Sequence, residues 1–101
     1  MDKNIRISML TEMYGKLLTD KQFDVVDLYY NNNLSLSEIA EELNITRQGV
    51  RKILVSAETN LFEIEEKLGL LEKKLQQEKV INEVISKTED KFIKDKLTSL
   101  L

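Results

Sequence analysis

The stretch SLSEIAEELNITRQGVRKIL, residues 35–54, contains the start and stop signals of two short consecutive helices. Ser35 and Glu38 have the spacing of a capping box, which predicts that the first helix begins here. Asn44 follows where that helix must end in a left-handed residue, and asparagine is the residue best suited to that conformation after glycine. Because Thr46 can cap a second helix, the stretch predicts a helix, a three-residue turn and another helix.

The apolar residues of this stretch fall on one face of each predicted helix. Ile39 and Leu43 form the inward face of the first helix, and Val50 and Ile53 belong to that of the second. The small residue Ala40 lies where the two axes would come closest, as a steep crossing requires. This pattern predicts a helix-turn-helix unit, although an ordinary helical hairpin in a bundle accounts for the apolar positions equally well.

The outward face of the second helix favours the first interpretation. Residues 46–56 contain three cations and no acid, in a chain whose formal net charge is −3. Arg and Gln side chains suit bidentate contacts with guanine and adenine edges in the major groove. We therefore predict that Arg47, Gln48 and Arg51 read bases and that Lys52 is better placed for a phosphate, with a plain solvated face as the alternative.

The rest of the chain also has helical patterning. Residues 3–18 carry an apolar stripe at three-and-four spacing, and Thr19 with Gln22 has the chemistry of another capping box. Three consecutive asparagines at residues 31–33 favour a turn. Since the chain has no proline and only three glycines, we expect an all-α fold of about five or six helices.

Beyond residue 50 the apolar residues recur at alternating steps of four and three as far as Leu75, which is a heptad seam. The seam predicts that the recognition helix runs unbroken to about Gln77. A DNA-binding domain, residues 1–60, then precedes a helical tail, residues 61–101, that serves dimerisation or packing.

The seam must be buried against the first helices, the C-terminal segment or a second copy. We favour a homodimer, with an internal bundle as the alternative. The predicted dimerisation residues are Leu61, Ile64, Leu68, Leu71 and Leu75.

Composition excludes several classes of function. The chain has no cysteine and no histidine, so it lacks thiolate and imidazole ligands for a metal and the commonest general base. No Gly-rich phosphate loop, nucleophile elbow or metal-spaced cluster occurs, so we expect neither an enzyme nor a cofactor. No segment approaches about 18 apolar residues, and we therefore expect a soluble cytoplasmic protein with no membrane partner.

Three segments of the sequence resemble region 4 of the bacterial sigma-70 factors and, more closely, the YlxM family of small helix-turn-helix proteins. They are LTDKQ at residues 18–22, LYY at residues 28–30 and SLSEIAEELNITRQGVRKI at residues 35–53. The resemblance spans roughly residues 5–75. It implies a sigma-70 region 4-like domain with a long recognition helix. The DNA-facing set that it implies is Thr46, Arg47, Gln48, Arg51 and Lys52.

The resemblance also implies a cellular context. Members of the YlxM family are typically encoded beside the genes for the signal recognition particle GTPases, so components of that particle are possible partners. Two hypotheses follow. The first is a DNA-binding regulator, favoured by the outward Arg and Gln side chains. The alternative is a protein-interaction module that retains the helix-turn-helix as a scaffold, favoured by the net charge of −3 and the long seam.

Overall fold

The structure is a computed structural model that describes all 101 residues. It contains six α-helices and no strand, which confirms the predicted all-α fold. The helices are α1 (Lys3–Tyr14), α2 (Asp20–Val26), α3 (Leu36–Leu43), α4 (Arg47–Leu68), α5 (Leu70–Lys87) and α6 (Lys91–Thr98). The chain divides into two compact units, Met1–Leu68 and Gly69–Leu101, which we call unit 1 and unit 2.

Both predicted capping boxes are present in unit 1. The backbone N–H of Gln22 donates to Thr19 Oγ1 at 3.1 Å, and the Thr19 N–H donates to Gln22 Oε1 at 3.1 Å. Ser35 and Glu38 make the same reciprocal pair, at 3.1 and 3.0 Å. Each box satisfies two backbone donors that a helix start leaves unpaired, so the boxes determine where α2 and α3 begin.

The turn between α3 and α4 also has the predicted geometry. Asn44 is left-handed, with φ 56° and ψ 46°, and the next N–H, of Ile45, donates to the Ala40 carbonyl at 3.0 Å. The N–H of Gly49 then donates to Thr46 Oγ1 at 3.0 Å, which caps the start of α4. Residues 35–54 therefore form a helix, a three-residue turn and a second helix, as the sequence predicts.

Helix α4 supplies the buried stripe around which unit 1 is packed. Val50, Ala57 and Leu61 are fully buried and Leu54 is nearly so. Helices α1, α2 and α3 all pack against α4. The buried apolar residues of these three helices are Ile7, Leu10, Tyr14, Val25, Val26, Ile39 and Ala40. The first half of the heptad seam is therefore buried against the first helices, which is one of the three possibilities left open by the sequence.

Two helix ends differ from the predictions. Helix α1 ends at Tyr14 and tightens into the 3₁₀-helical turn Gly15–Leu17. A Cβ atom at Gly15 would lie only 3.0 Å from the Phe23 ring, so this turn packs closely on α2. The prediction that α4 runs unbroken to Gln77 is wrong. Helix α4 ends at Leu68 because Gly69 adopts a left-handed conformation with φ 63°.

One element has no counterpart in the sequence analysis. Helix α2 continues into the π-helical segment Asp27–Asn31, after which Asn33 is left-handed with φ 56°. The three asparagines thus end the helix as predicted, but one turn of the helix before them is widened. Such π-helical turns are rare and often occur at functional sites.

Unit 2 is a pair of helices. Asp90 Oδ1 accepts the N–H of Ile93 at 3.2 Å and so caps α6, and α6 packs along α5. Leu71 is the one buried apolar residue of the unit. The two units meet between residues 68 and 69, whereas the sequence pattern placed the division after residue 60. None of the six helices combines the length and the apolar composition needed to cross a bilayer.

The left-handed turn at Asn44 gives the first testable prediction. Asn44→Gly is expected to leave the free energy of unfolding unchanged or slightly higher, because glycine adopts positive φ without strain. Asn44→Val is expected to lower it by on the order of 1 to 2 kcal/mol, because a β-branched side chain is penalised there. Urea unfolding followed by circular dichroism measures both. Equal stabilities of the two variants would contradict the prediction.

Candidate nucleic-acid interface

The N-terminal turns of α4 present a continuous exposed face. All five predicted DNA-facing residues lie on it and all are exposed: Thr46, Arg47, Gln48, Arg51 and Lys52. Arg51 follows Arg47 by one helical turn, so their side chains leave the helix on the same side. The buried stripe of α4 begins at Val50, which is rotated by about 100° from Arg51 and by about 160° from Gln48 and Lys52. We call these five residues the reading face.

The cations of the reading face are not neutralised by acids of their own helix. Neither arginine nor Lys52 takes part in a salt bridge. The first acid of α4 is Glu58, whose side chain is only 13% exposed. Its carboxylate oxygens contact the Tyr30 hydroxyl at 2.7 Å and Lys3 Nζ at 3.1 Å. Glu58 lies two turns beyond Arg51 on the same side of α4, and its carboxylate is engaged by these two contacts within unit 1.

The surroundings of the reading face are acidic. Helix α3 exposes Glu38, Glu41 and Glu42 and carries no cation. Unit 1 contains eight Lys and Arg against twelve Asp and Glu, a net charge of −4, whereas unit 2 contains seven against six, or +1. In a DNA-bound helix-turn-helix the first helix crosses the phosphate backbone. Helix α3 would therefore contribute no attraction to phosphate.

Two tyrosine hydroxyls outside α4 donate hydrogen bonds to glutamates of α4. The Tyr14 hydroxyl of α1 donates to Glu65 Oε1 at 2.6 Å, and the Tyr30 hydroxyl donates to Glu58 Oε1 at 2.7 Å. Glu58 and Glu65 are seven residues apart, so they lie on one side of α4. Hydrogen bonds to charged acceptors are stronger than neutral ones and directional. These two contacts fix the rotation of α4, and with it the direction of the reading face.

The environment of Tyr30 keeps its hydroxyl protonated. Burial, then the hydrogen bond to Glu58 and the charge of that carboxylate, raise the pKa of the Tyr30 hydroxyl well above its ordinary value. The hydroxyl is therefore protonated, and can donate, at neutral pH. Titration of Tyr30 therefore does not alter its contact with Glu58 near neutral pH.

Helix α2 makes a second polar link to α4. The Gln22 side chain, which caps α2, also donates from Nε2 to Ser56 Oγ at 3.1 Å. Its Oε1 accepts from Asn60 Nδ2 at 3.4 Å. Gln22, which belongs to the capping box of α2, thus also links α2 to α4.

The predicted dimerisation residues differ in exposure and are divided between the two units. Leu61 is fully buried in unit 1 and Leu71 is 2% exposed. Leu68 is 55% exposed, while Ile64 and Leu75 are half-buried. Because α4 ends at Leu68, the five residues belong to two helices rather than one continuous seam.

Sequence reasoning missed the residues that hold the reading face in place. The contacts of Tyr14, Tyr30 and Gln22 with α4 join residues 28 to 51 positions apart. No local pattern reveals such pairs. The one available signal was the seven-residue spacing of Glu58 and Glu65 on the side of α4 that carries the apolar stripe, where an acid needs a partner.

The α3–α4 helix pair, its left-handed turn and the cationic face at the start of the second helix define a helix-turn-helix protein. The chain belongs to the UPF0122 family, described as "Putative helix-turn-helix protein, YlxM / p13 like", which matches residues 1–100. It is 48% identical over 85 residues to a UPF0122 protein of Acetivibrio thermocellus, covering 84% of this chain and 73% of the relative. A UPF0122 protein of Lacticaseibacillus casei is 39% identical over 101 residues, covering all of this chain and 89% of the relative.

The contact between Tyr30 and Glu58 gives the second testable prediction. Tyr30→Phe removes one hydrogen bond to a mostly buried carboxylate and should lower the free energy of unfolding by roughly 1 to 2 kcal/mol. Tyr29→Phe is the matched control, because the neighbouring ring packs edge-on against Tyr30 at 5.0 Å and its hydroxyl makes no hydrogen bond. Urea unfolding of both variants measures the difference. If the two variants are equally stable, the Tyr30 contact does not hold α4.

Proposed function

We propose that this protein is a DNA-binding regulator that inserts the N-terminal turns of α4 into the major groove of duplex DNA. The observation that carries the proposal is the reading face, which holds three exposed cations and an amide with no acid before Glu58. Its position at the start of the second helix of a helix-turn-helix is where such proteins contact base edges. The proposal places the protein in the cytoplasm, together with the DNA.

The residues of the reading face divide by role. Arg47 and Gln48 in the first turn and Arg51 one turn later are assigned to base edges, because their side chains can form bidentate contacts. Lys52 is rotated by about 100° from Arg51 and is assigned to a phosphate. The Thr46 oxygen accepts the Gly49 N–H at 3.0 Å, so Thr46 positions the helix and can still donate its hydroxyl hydrogen to a phosphate.

A homodimer is part of the proposal. Dimeric helix-turn-helix proteins place two recognition helices about one helical turn of DNA apart, and the paired half-sites increase both affinity and specificity. With only three cations on each reading face, a single copy neutralises few phosphates. Pairing of two copies supplies the contacts that one copy lacks.

A second candidate function is a protein-interaction module that keeps the helix-turn-helix as scaffold. The net charge of −4 on unit 1 and the three exposed glutamates of α3 favour it, because they oppose approach to phosphate. The resemblance to the YlxM family makes components of the signal recognition particle the possible partners under this candidate.

The division of roles gives the third testable prediction. Arg51→Ala should cost roughly 1 to 3 kcal/mol of binding on a site selected from genomic fragments and should remove the preference at one base pair. Lys52→Ala should weaken binding to the selected site and to scrambled duplex equally. Lys79→Ala, which removes an exposed lysine of α5, is the matched control and should change neither. Binding isotherms on the selected site and on scrambled duplex measure these effects. If Arg51→Ala and Lys52→Ala behave identically on both, base reading by Arg51 is refuted.

Salt dependence separates the two candidate functions and is the fourth prediction. On random duplex, where the two arginines can contact phosphates instead of bases, the three cations of the reading face predict a slope of about −3 for log K against log salt for each bound copy. Lys52→Ala should make this slope shallower by about one. Absence of binding to any duplex at about 50 mM salt would favour the interaction module over the DNA-binding regulator.

A further inference from the structure

Unit 2, which contains α5 and α6, leaves many large apolar side chains exposed. Seven large apolar side chains of unit 2 are 41 to 69% exposed: Leu70, Val80, Val84, Phe92, Ile93, Leu100 and Leu101. Only Leu71 is buried. A unit of 33 residues with one buried and four half-buried apolar side chains has only a small core, and units of this size need a partner or a covalent staple.

An open groove in unit 2 lies between α5 and the residues that follow α6. Its apolar lining comes from Val80 and Ile81 of α5 and from Leu100 after the end of α6, and its polar edge carries Lys73, Gln76 and Gln77. We call it the hairpin groove. An apolar lining with a polar edge is the arrangement of a protein–protein interface.

The exposed apolar surface is of the size that a dimer interface needs. At their observed exposures, the seven side chains leave on the order of 600 Å² of surface in water per copy, and a contact that covered all of them in two copies would bury about twice that. With the polar edge included, such a contact reaches the roughly 1,200 to 2,000 Å² typical of stable interfaces, of which about two thirds is apolar in homodimers.

The distribution of charge favours a second copy of the same hairpin as the occupant. Unit 2 carries seven cations and six anions, so two of these units do not repel each other. Unit 1, at −4, would be repelled by another unit 1. Two helical hairpins packed face to face form a four-helix bundle, in which each copy buries the same surface on the other.

We propose that the protein dimerises through the hairpin groove, with Val80 and Leu100 of each copy packed against the same residues of the other. This inference rests on the homodimer of the proposed function but locates the interface on α5–α6 and away from the predicted seam. Two seam residues, Leu61 and Leu71, are already buried in the chain. Leu68, which is 55% exposed, is the seam residue that distinguishes the two interfaces.

Sedimentation equilibrium over a range of concentrations tests the proposal. The unaltered protein should be a dimer at micromolar concentration, and Val80→Glu or Leu100→Glu should weaken association at least 100-fold. The matched control is Val55→Glu, because Val55 of α4 is 49% exposed and Val80 is 53% exposed. Val55→Glu and Leu68→Glu should leave the association unchanged. Circular dichroism of each variant shows that the helices are retained.

A second measurement does not depend on destabilising variants. Because the chain has no cysteine, Val80→Cys and Val55→Cys each introduce a single site for a nitroxide label. Pulsed dipolar spectroscopy of the Val80 label should give a short, narrow distance between copies, and dilution with unlabelled protein should remove it. The Val55 label should give a longer or broader distribution.

Three outcomes would overturn the proposal. They are a monomeric parent protein, dissociation by Leu68→Glu but not by Val80→Glu, and a shorter distance at residue 55 than at residue 80. None of them refutes DNA binding by the reading face, because the binding of reading-face variants to random duplex is measured separately. Conversely, absence of DNA binding leaves the sedimentation results valid.

Discussion

Burial of one side of α4 is the constraint on which the rest of unit 1 depends. Helices α1, α2 and α3 are each too short to be stable alone in water, and each covers part of the stripe that runs from Val50 to Leu61. Since the buried stripe begins at the fourth residue of α4, the sides of the same turns that lie off the stripe face solvent. The exposure of Arg47, Gln48 and Arg51 is thus a consequence of packing.

Local chemistry explains which parts of the fold could be predicted from the sequence. The capping boxes, the left-handed Asn44 and the apolar stripe of α4 all depend on residues within one or two helical turns of each other, so their spacing identifies them. The helix end at Leu68 could not be predicted from apolar periodicity, because the seam continues in register past Gly69. The π-helical turn Asp27–Asn31 has no local signature in the sequence.

The reading face was predictable from the sequence for the same reason, whereas the contacts of Tyr14 and Tyr30 with α4 were not. An acid-free run beside a capping threonine is visible in one stretch of residues. The contacts of Tyr14 with Glu65 and of Tyr30 with Glu58 depend on how α1 and the π-helical segment cross α4. Polar side chains at such crossings need partners because burial removes their hydration. Only the fold shows which partners they have.

The proposed DNA binding must succeed against an acidic surface, and this bears on specificity. At physiological salt, charges more than about 8 Å apart are largely screened, so the cations of the reading face act on DNA in contact while the glutamates of α3 weaken longer-range attraction. Non-specific binding, which depends on the number of phosphates neutralised, is therefore weak for one copy. A dimer binds paired half-sites with two reading faces at once, and the second contact is intramolecular once the first has formed. An acidic protein with two small cationic faces thereby discriminates a paired site from random duplex more sharply than a basic protein with the same base contacts would.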